Sequence, residues 1–245
     1  MRDYTVRHAG DTALVVEFGE AIDRSVSARV LALAQRLDDA RLEGVVEIVP
    51  TFRSLMVHYD PLLLPVETLA DCIEGAIPSL RIIQMAGRLW HLPACYEASI
   101  APDLEDVATR TGLSSAQVVD RHSAVTYHVY MLGFLPGQAY MGDVPADLAL
   151  PRRATPRPKI PAGSLAIAGG MTCIFPLETP CGWHLIGRSP VTLWRSGSAG
   201  DALLAPGDKV VFEPVSLREY ERLAAQAQDG TLRIEPTAVA RDAAA

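Results

Sequence analysis

The residues most able to do chemistry are Arg152, Arg153, Arg157 and Lys159, four cations within eight positions of a chain whose net charge is −7. They lie in a segment stiffened by Pro151, Pro156, Pro158 and Pro161, which should hold their backbones in place. Guanidinium forks bind carboxylate or phosphate through paired hydrogen bonds and an ammonium adds a point charge, so one reading is an anion site. A solvated basic loop, or a surface against an acidic partner, is the plainer alternative. His184 and Arg188 lie four apart on a predicted strand, where they would share a face with Ile186 while Trp183 takes the other. His184 could carry a proton or help neutralise an oxyanion, although a histidine in a barrel wall is more often simply hydrogen-bonded. Arg188, between Gly187 and a Ser-Pro pair, sits at a strand end and is a candidate ligand contact. Tyr140 can offer a hydroxyl to the same region, as can His128 or Tyr130, unless these rings are core. Thr172 and Ser164 lack the neighbours of an activated nucleophile, and there is no GxSxG elbow.

These side chains sit in the stretch Gly133 to Pro190, which holds eight of the 18 glycines and nine of the 18 prolines. Between those breakers lie the apolar runs 165–168, 172–175, 184–186 and 191–194, so the pattern is short strands joined by tight turns and not disorder. A barrel or small closed sheet is the expectation.

Upstream, Ala13 to Phe18 predicts a strand. Val26, Val30, Leu33 and Leu37, following Ile22, predict a helix capped by Asp23. Val45 to Val49 and Ser54 to Tyr59 have hairpin spacing. Pro65 opens a second helix with Leu69, Cys72, Ile73 and Ala76 on one face, and Arg88 to Leu92 alternates as a strand. The resulting β-α-β-β-α-β order is ferredoxin-like, which places a first domain at residues 1–92. Asp103 should begin a short helix ended by Gly112, and Ser114 with Gln117 makes a capping box for another. The β-rich domain then spans 93–235, with strands over 125–131 and 210–212, a helix capped by Ser216 with Glu219, and a further strand at 231–234. Residues 236–245 read as a loose tail. The fold class expected is α+β.

Composition narrows the function classes. Acidity disfavours nucleic acid and anionic membranes as partners, and no run reaches the ~18 apolar residues of a membrane span. The start of the chain is charged where a signal peptide would be apolar, which reads as cytoplasmic. Cys72, Cys95, Cys173 and Cys181 form no CxxC pair, and no HExxH or clustered ligand set appears, so no metal site is expected. There is no GxxxxGK[ST] loop for ATP phosphates and no Met-Lys pair for biotin attachment, which points to any such chemistry being shared with another chain.

The segments GFLPGQAYMGDVP, PRRATPRPKIPAGSLAIAG and GWHLIGRSP, with AGDTALVVEF and VEIVPTFRSLMVHYDP nearer the start, resemble the family of the 5-oxoprolinase B subunit, which includes KipI and allophanate hydrolase subunit 1. The resemblance implies an N-terminal α/β domain and a C-terminal cyclophilin-like β-barrel. It also implies partners, namely a KipA-like C subunit together with an A subunit, and ATP-dependent opening of 5-oxoproline to glutamate, with ATP and Mg acting at the level of the complex. On that view Arg152, Arg157, Lys159, Arg188 and Tyr140 are the substrate or anion contacts, and His184 is a weaker catalytic candidate. The same modules form the carboxyltransferase part of biotin-dependent urea carboxylase, and KipI inhibits a sensor histidine kinase, so these remain alternatives. Gln138, Asp143, Cys173 and Cys181 depart from the family pattern at positions that bear on substrate specificity.

Overall fold

The computed structural model describes residues 3–80, 87–196 and 202–237, and divides into two units, Met1–Met85 and Ala86–Ala245. In the first unit the chain runs β1 (Thr5–His8), β2 (Ala13–Glu17), α1 (Arg24–Ala40), β3 (Val45–Pro50), β4 (Ser54–Tyr59) and α2 (Val66–Ala76). The Asp23 carboxylate accepts from the amides of Ser25 and Val26, so α1 starts where its capping residue requires. The sheet is antiparallel throughout, in the order β1-β2-β4-β3. Leu14 opposite Val57 and Val16 opposite Leu55 present one apolar face, which α1 covers with Val30, Leu33 and Leu37 and α2 with Leu69 and Ile73.

This is the ferredoxin-like sheet order with one exchange. The edge strand beside β2 is β1, from the start of the chain, and not the strand near residue 90. That strand, β5 (Leu89–Ala94), lies in the second unit, paired in parallel with β13 (Lys209–Pro214) from Leu89↔Lys209 to Ala94↔Pro214. The boundary expected after residue 92 therefore falls before β5. The physical reason is burial: Trp90, Leu92 and Ala94 fill the core of the second unit.

The second unit continues through α3 (Leu104–Thr111), α4 (Ser115–Ser123), β6 (Tyr127–Leu132), β7 (Ala139–Gly142), β8 (Arg157–Ile160), β9 (Ser164–Ala168), β10 (Met171–Ile174), β11 (Thr179–Cys181) and β12 (His184–Arg188), and after β13 ends with α5 (Leu217–Gln228). The capping box of Ser114 with Gln117 is formed, and Gly112 ends α3 in the left-handed region. Seven strands make one sheet in the order β12-β9-β10-β7-β6-β13-β5, while β8 and β11 form a separate ribbon. The two edges meet through Cys95 and Arg188, whose amides and carbonyls exchange two hydrogen bonds of 2.8 Å, so the sheet curls into a nearly closed barrel. Gly187 permits this approach, since a Cβ there would stand 2.6 Å from the Cys95 carbonyl oxygen.

Strand β9 is buried on both faces. Leu165 and Ile167 enter the main core, and Ala166 and Ala168 enter an outer cluster with Ile160, Cys173, Phe175, Cys181, Trp183 and Leu185. Two expected strands are absent from the described residues: 191–194 makes only a single bridge from Trp194 to Ala202, and 231–234 is irregular, with Thr237 bridging Leu89. The expected loose tail lies, beyond Thr237, outside the described residues. Among the described residues no helix is long and apolar enough to cross a membrane.

Candidate functional site

Asp103 organises the basic segment. It immediately precedes α3 yet makes no capping bond to that helix, and its side chain is instead almost wholly buried against the loop before β8. Arg157 donates to both carboxylate oxygens at 2.7 Å, Arg153 donates to Oδ1 at 2.7 Å and the Leu185 amide donates to Oδ2 at 2.7 Å. Burial pushes this carboxyl up, but the Arg157 hydrogen bonds, the Leu185 amide and the two guanidinium charges outweigh it and hold it below its ordinary range. A backbone bond from Asp103 to the Leu185 carbonyl completes the junction of α3 with β12.

Two further tethers fix the same loop. His184 is fully buried, and its Nε2 lies 2.9 Å from the Pro151 carbonyl oxygen, an acceptor, so Nε2 carries the donated proton. Its Nδ1 has no hydrogen-bond partner and stands 3.9 Å from Asp106 Oδ2. One residue further along the loop, past Arg152, the Arg153 amide donates to the Gly182 carbonyl at 2.8 Å. Arg152 is thus held between two anchored neighbours, alongside Gly182, Trp183 and His184. It is exposed, and it has no hydrogen bond or ion pair among the described residues.

The other sequence candidates separate. Lys159 pairs with Glu178 at 2.8 Å on an exposed surface. Arg188 donates to the Ala162 carbonyl at 2.7 Å and lies over the Tyr220 ring, 5.7 Å from its centroid. A register shift between Leu185 and Gly187 puts Arg188 opposite Ser164, whereas His184 lies opposite Ile167, so the expected shared face of His184 and Arg188 is broken by a bulge. Tyr140 is half-buried in the outer cluster, with its ring edge-on to Trp183 at 5.9 Å. Burial raises the Tyr140 hydroxyl and the Cys173 and Cys181 thiols, and the Arg152 charge opposes that rise in all three. Gln138, two residues before Tyr140, is 1 % exposed; its Nε2 is 3.8 Å from Cys173 Sγ and its Oε1 has no partner. The structure therefore brings Tyr140, Trp183 and Gln138 to the cluster around Cys173, spends Arg157 on Asp103, keeps Arg152 exposed on its tethered loop, and leaves Lys159 and Arg188 in other contacts.

A second buried polar group lies inside the barrel. His122 is fully buried, stacked on Phe212, with Nδ1 2.9 Å from the Tyr96 hydroxyl and Nε2 3.0 Å from Thr172 Oγ1. The Thr172 hydroxyl proton is directed to the Ala166 carbonyl at 3.1 Å, so Thr172 accepts from His122 Nε2–H and Nδ1 accepts from Tyr96. Burial pushes the imidazole down to about 3, and the ring stays neutral as a structural link.

Sequence reasoning missed Asp103 as a partner of the basic loop, because a residue before a helix reads as a cap. The available signal was the loop itself: several arginines on a proline-stiffened segment require a counter-charge.

Comparison with known proteins agrees with this architecture. Residues 4–204 match the family model for the carboxyltransferase domain, subdomain C and D. The chain is 36% identical over 228 residues to the 5-oxoprolinase B subunit of Bacillus subtilis, covering 89% of this chain and 95% of that one. It is 40% identical over 209 residues to the protein of the same name from Escherichia coli O157:H7, covering 84% and 93%. The urea carboxylase of Kluyveromyces lactis shares the fold with a TM-score of 0.77 at 20% identity, over 96% of this chain, which spans only 24% of that longer one.

Proposed function

Because the chain belongs to the family of 5-oxoprolinase B subunits and carries subdomains C and D of the carboxyltransferase domain, we propose that it is one component of a heteromeric, ATP-dependent 5-oxoprolinase that opens 5-oxoproline to L-glutamate. The observation that carries this reading is the near full-length similarity, at 36% and 40% identity, to two proteins named as the B subunit of that enzyme. A protein so named works with other subunits, and the partners proposed are homologues of the 5-oxoprolinase A subunit and of its KipA-like C subunit, with a composite active site.

Among the described residues no group of three or more His, Cys, Asp and Glu side chains could hold a metal ion, and Arg153 and Arg157 are committed to Asp103. Nucleotide binding is proposed for the assembled complex. What this chain offers is an exposed cation, Arg152, on a loop tethered on either side of it, suited to a ligand that carries a carboxylate.

The test is ADP release and glutamate formation from 5-oxoproline with this chain alone, with the A and C subunits in its absence, and with all three. Coupled product in the complete mixture only is the expected result; full activity without this chain refutes the reading. In that event the family match and the urea carboxylase fold favour a carboxyltransferase component of a biotin-dependent enzyme, identified by co-purification with a biotinylated partner.

A further inference from the structure

We infer that the cleft between the turn after β5, helices α3 and α4, and the end of β13 is a docking groove for a companion subunit, and that it takes a segment of that subunit carrying arginine or lysine among apolar residues. The inference rests on the heteromeric reading for the existence of a partner, and on geometry and charge for the surface. The cleft lies wholly in the second unit and has a volume of about 610 Å3. Its floor is apolar, with Ala101, Leu104, Val119 and Val215, and its carboxylates are Glu97, Glu105 and Asp120, all three exposed. No arginine, lysine or histidine is among the described residues that line it.

The negative charge is left uncompensated because the arginines on the same helices are turned elsewhere. Arg110 of α3 pairs with Asp106 at 3.7 Å, and Arg121 of α4 pairs with Asp147. Glu97, Glu105 and Asp120 make no side-chain hydrogen bond or ion pair among the described residues. The walls are fixed before anything binds. The Tyr96 hydroxyl is 2.9 Å from His122 Nδ1, the Ile100 and Ala101 amides donate to the Glu97 carbonyl at 2.9 and 3.0 Å, and the Val215 amide donates to the Ala94 carbonyl at 2.9 Å. A groove preformed in this way lowers the ordering cost of binding. Arginine and lysine fit it because their stems lie along an apolar floor while their heads reach carboxylates at the rim. A free small cation does not fit as well: an exposed ion pair contributes little by itself, and these three carboxylates stand on three separate elements, so a segment that makes several contacts at once gains most. A second copy of this chain would bring the same net charge of −7 and be repelled.

The experiment measures binding of the full chain to purified homologues of the A and C subunits, separately and together, by interferometry. It is run at about 0.1 M and about 1 M salt, where the screening lengths are about 10 Å and 3 Å. The triple variant Glu97→Gln, Glu105→Gln, Asp120→Asn should weaken binding at least tenfold at the lower salt, chiefly through the association rate, and much less at the higher. Ala116→Trp fills the groove from an exposed helix position and leaves every carboxylate in place, so it should weaken binding at least tenfold at both. Neutralising Asp38, Glu43 and Asp71, three exposed carboxylates of the first unit, removes the same net charge and should change the affinity less than twofold. Urea midpoints matching the wild type check that each variant is folded. Equal losses from the two triple variants mean general attraction and overturn the groove, as does wild-type affinity in the Ala116→Trp protein. Spermine bound in the groove as tightly as the subunit assigns a small-cation site and overturns the docking role. Subunit binding that no groove variant alters overturns the groove and leaves the heteromeric reading standing, whereas no binding of either subunit to the wild-type chain refutes that reading and the groove with it.

Discussion

Replacing Asp103 by Asn removes one negative charge and little volume, so it isolates the electrostatic part of the junction between α3, β12 and the basic loop. In the native structure four donors reach this carboxylate at 2.7 Å, three of them from guanidinium groups. An asparagine can accept through one oxygen only, and its NH2 must face an arginine N–H. Removing one partner of a buried ion pair costs about 3–5 kcal/mol when the remaining charge is sealed from water. Here Arg153 and Arg157 keep 28% and 26% exposure of their side chains and recover part of their hydration. The expected loss is about 2–4 kcal/mol, measured by urea denaturation with tryptophan fluorescence. All three tryptophans, Trp90, Trp183 and Trp194, belong to the second unit, so the signal reports the barrel. The sign with pH follows from the lowered carboxyl: its contribution is complete above its ordinary range and is lost as pH falls through its lowered folded value. The gap between wild type and Asp103→Asn should therefore hold steady from neutral pH downwards and close only in strong acid. A gap under about 0.5 kcal/mol at neutral pH, the level of an ordinary surface substitution, would refute the argument that this carboxylate holds the loop.

Two other expectations follow from buried groups. His122 is held neutral down to about 3, whereas in the unfolded chain it takes up a proton near its ordinary 6.5, so stability falls as pH drops through that interval. At pH 5 the cost is about 2 kcal/mol, and His122→Gln should abolish that part of the pH slope; an unchanged slope counts against the buried assignment. Gly187→Ala places a methyl 2.6 Å from the Cys95 carbonyl oxygen and should cost about 1–3 kcal/mol and speed amide exchange at Cys95 and Arg188, while unaltered exchange there would show that the barrel does not depend on this contact.

Local signals were legible in the sequence and distant pairings were not. Asp23, Gly112 and the Ser114 with Gln117 box each act within a few residues of themselves, and each marked its helix end. The hairpin of β3 and β4 was readable for the same reason. Strand β1 was missed because three of its four residues are exposed, so it carries no apolar alternation. Strand β5 showed its period, but period does not reveal which sheet a strand joins, and its partner β13 lies far downstream. The site divided in the same way. Arg152 and Tyr140 could be named as polar groups on a stiff segment, yet the commitment of Arg157 to Asp103 depends on a contact across 54 positions. The bulge in β12, which separates His184 from Arg188, left no mark beyond Gly187.

The pairing of β5 with β13 also carries a consequence for the order of synthesis. All four strands of the first sheet are encoded within residues 5–59, so that sheet can close while the ribosome is still making the barrel. Leu89 must instead wait for Lys209, 120 residues later, which at 5–20 residues per second is on the order of 6–24 s. During that interval Trp90 and Leu92 have no β13 to cover them, and the nascent chain carries an open, apolar strand edge. Yield of folded protein should consequently depend on chaperone supply during this window more than on the final stability of the barrel.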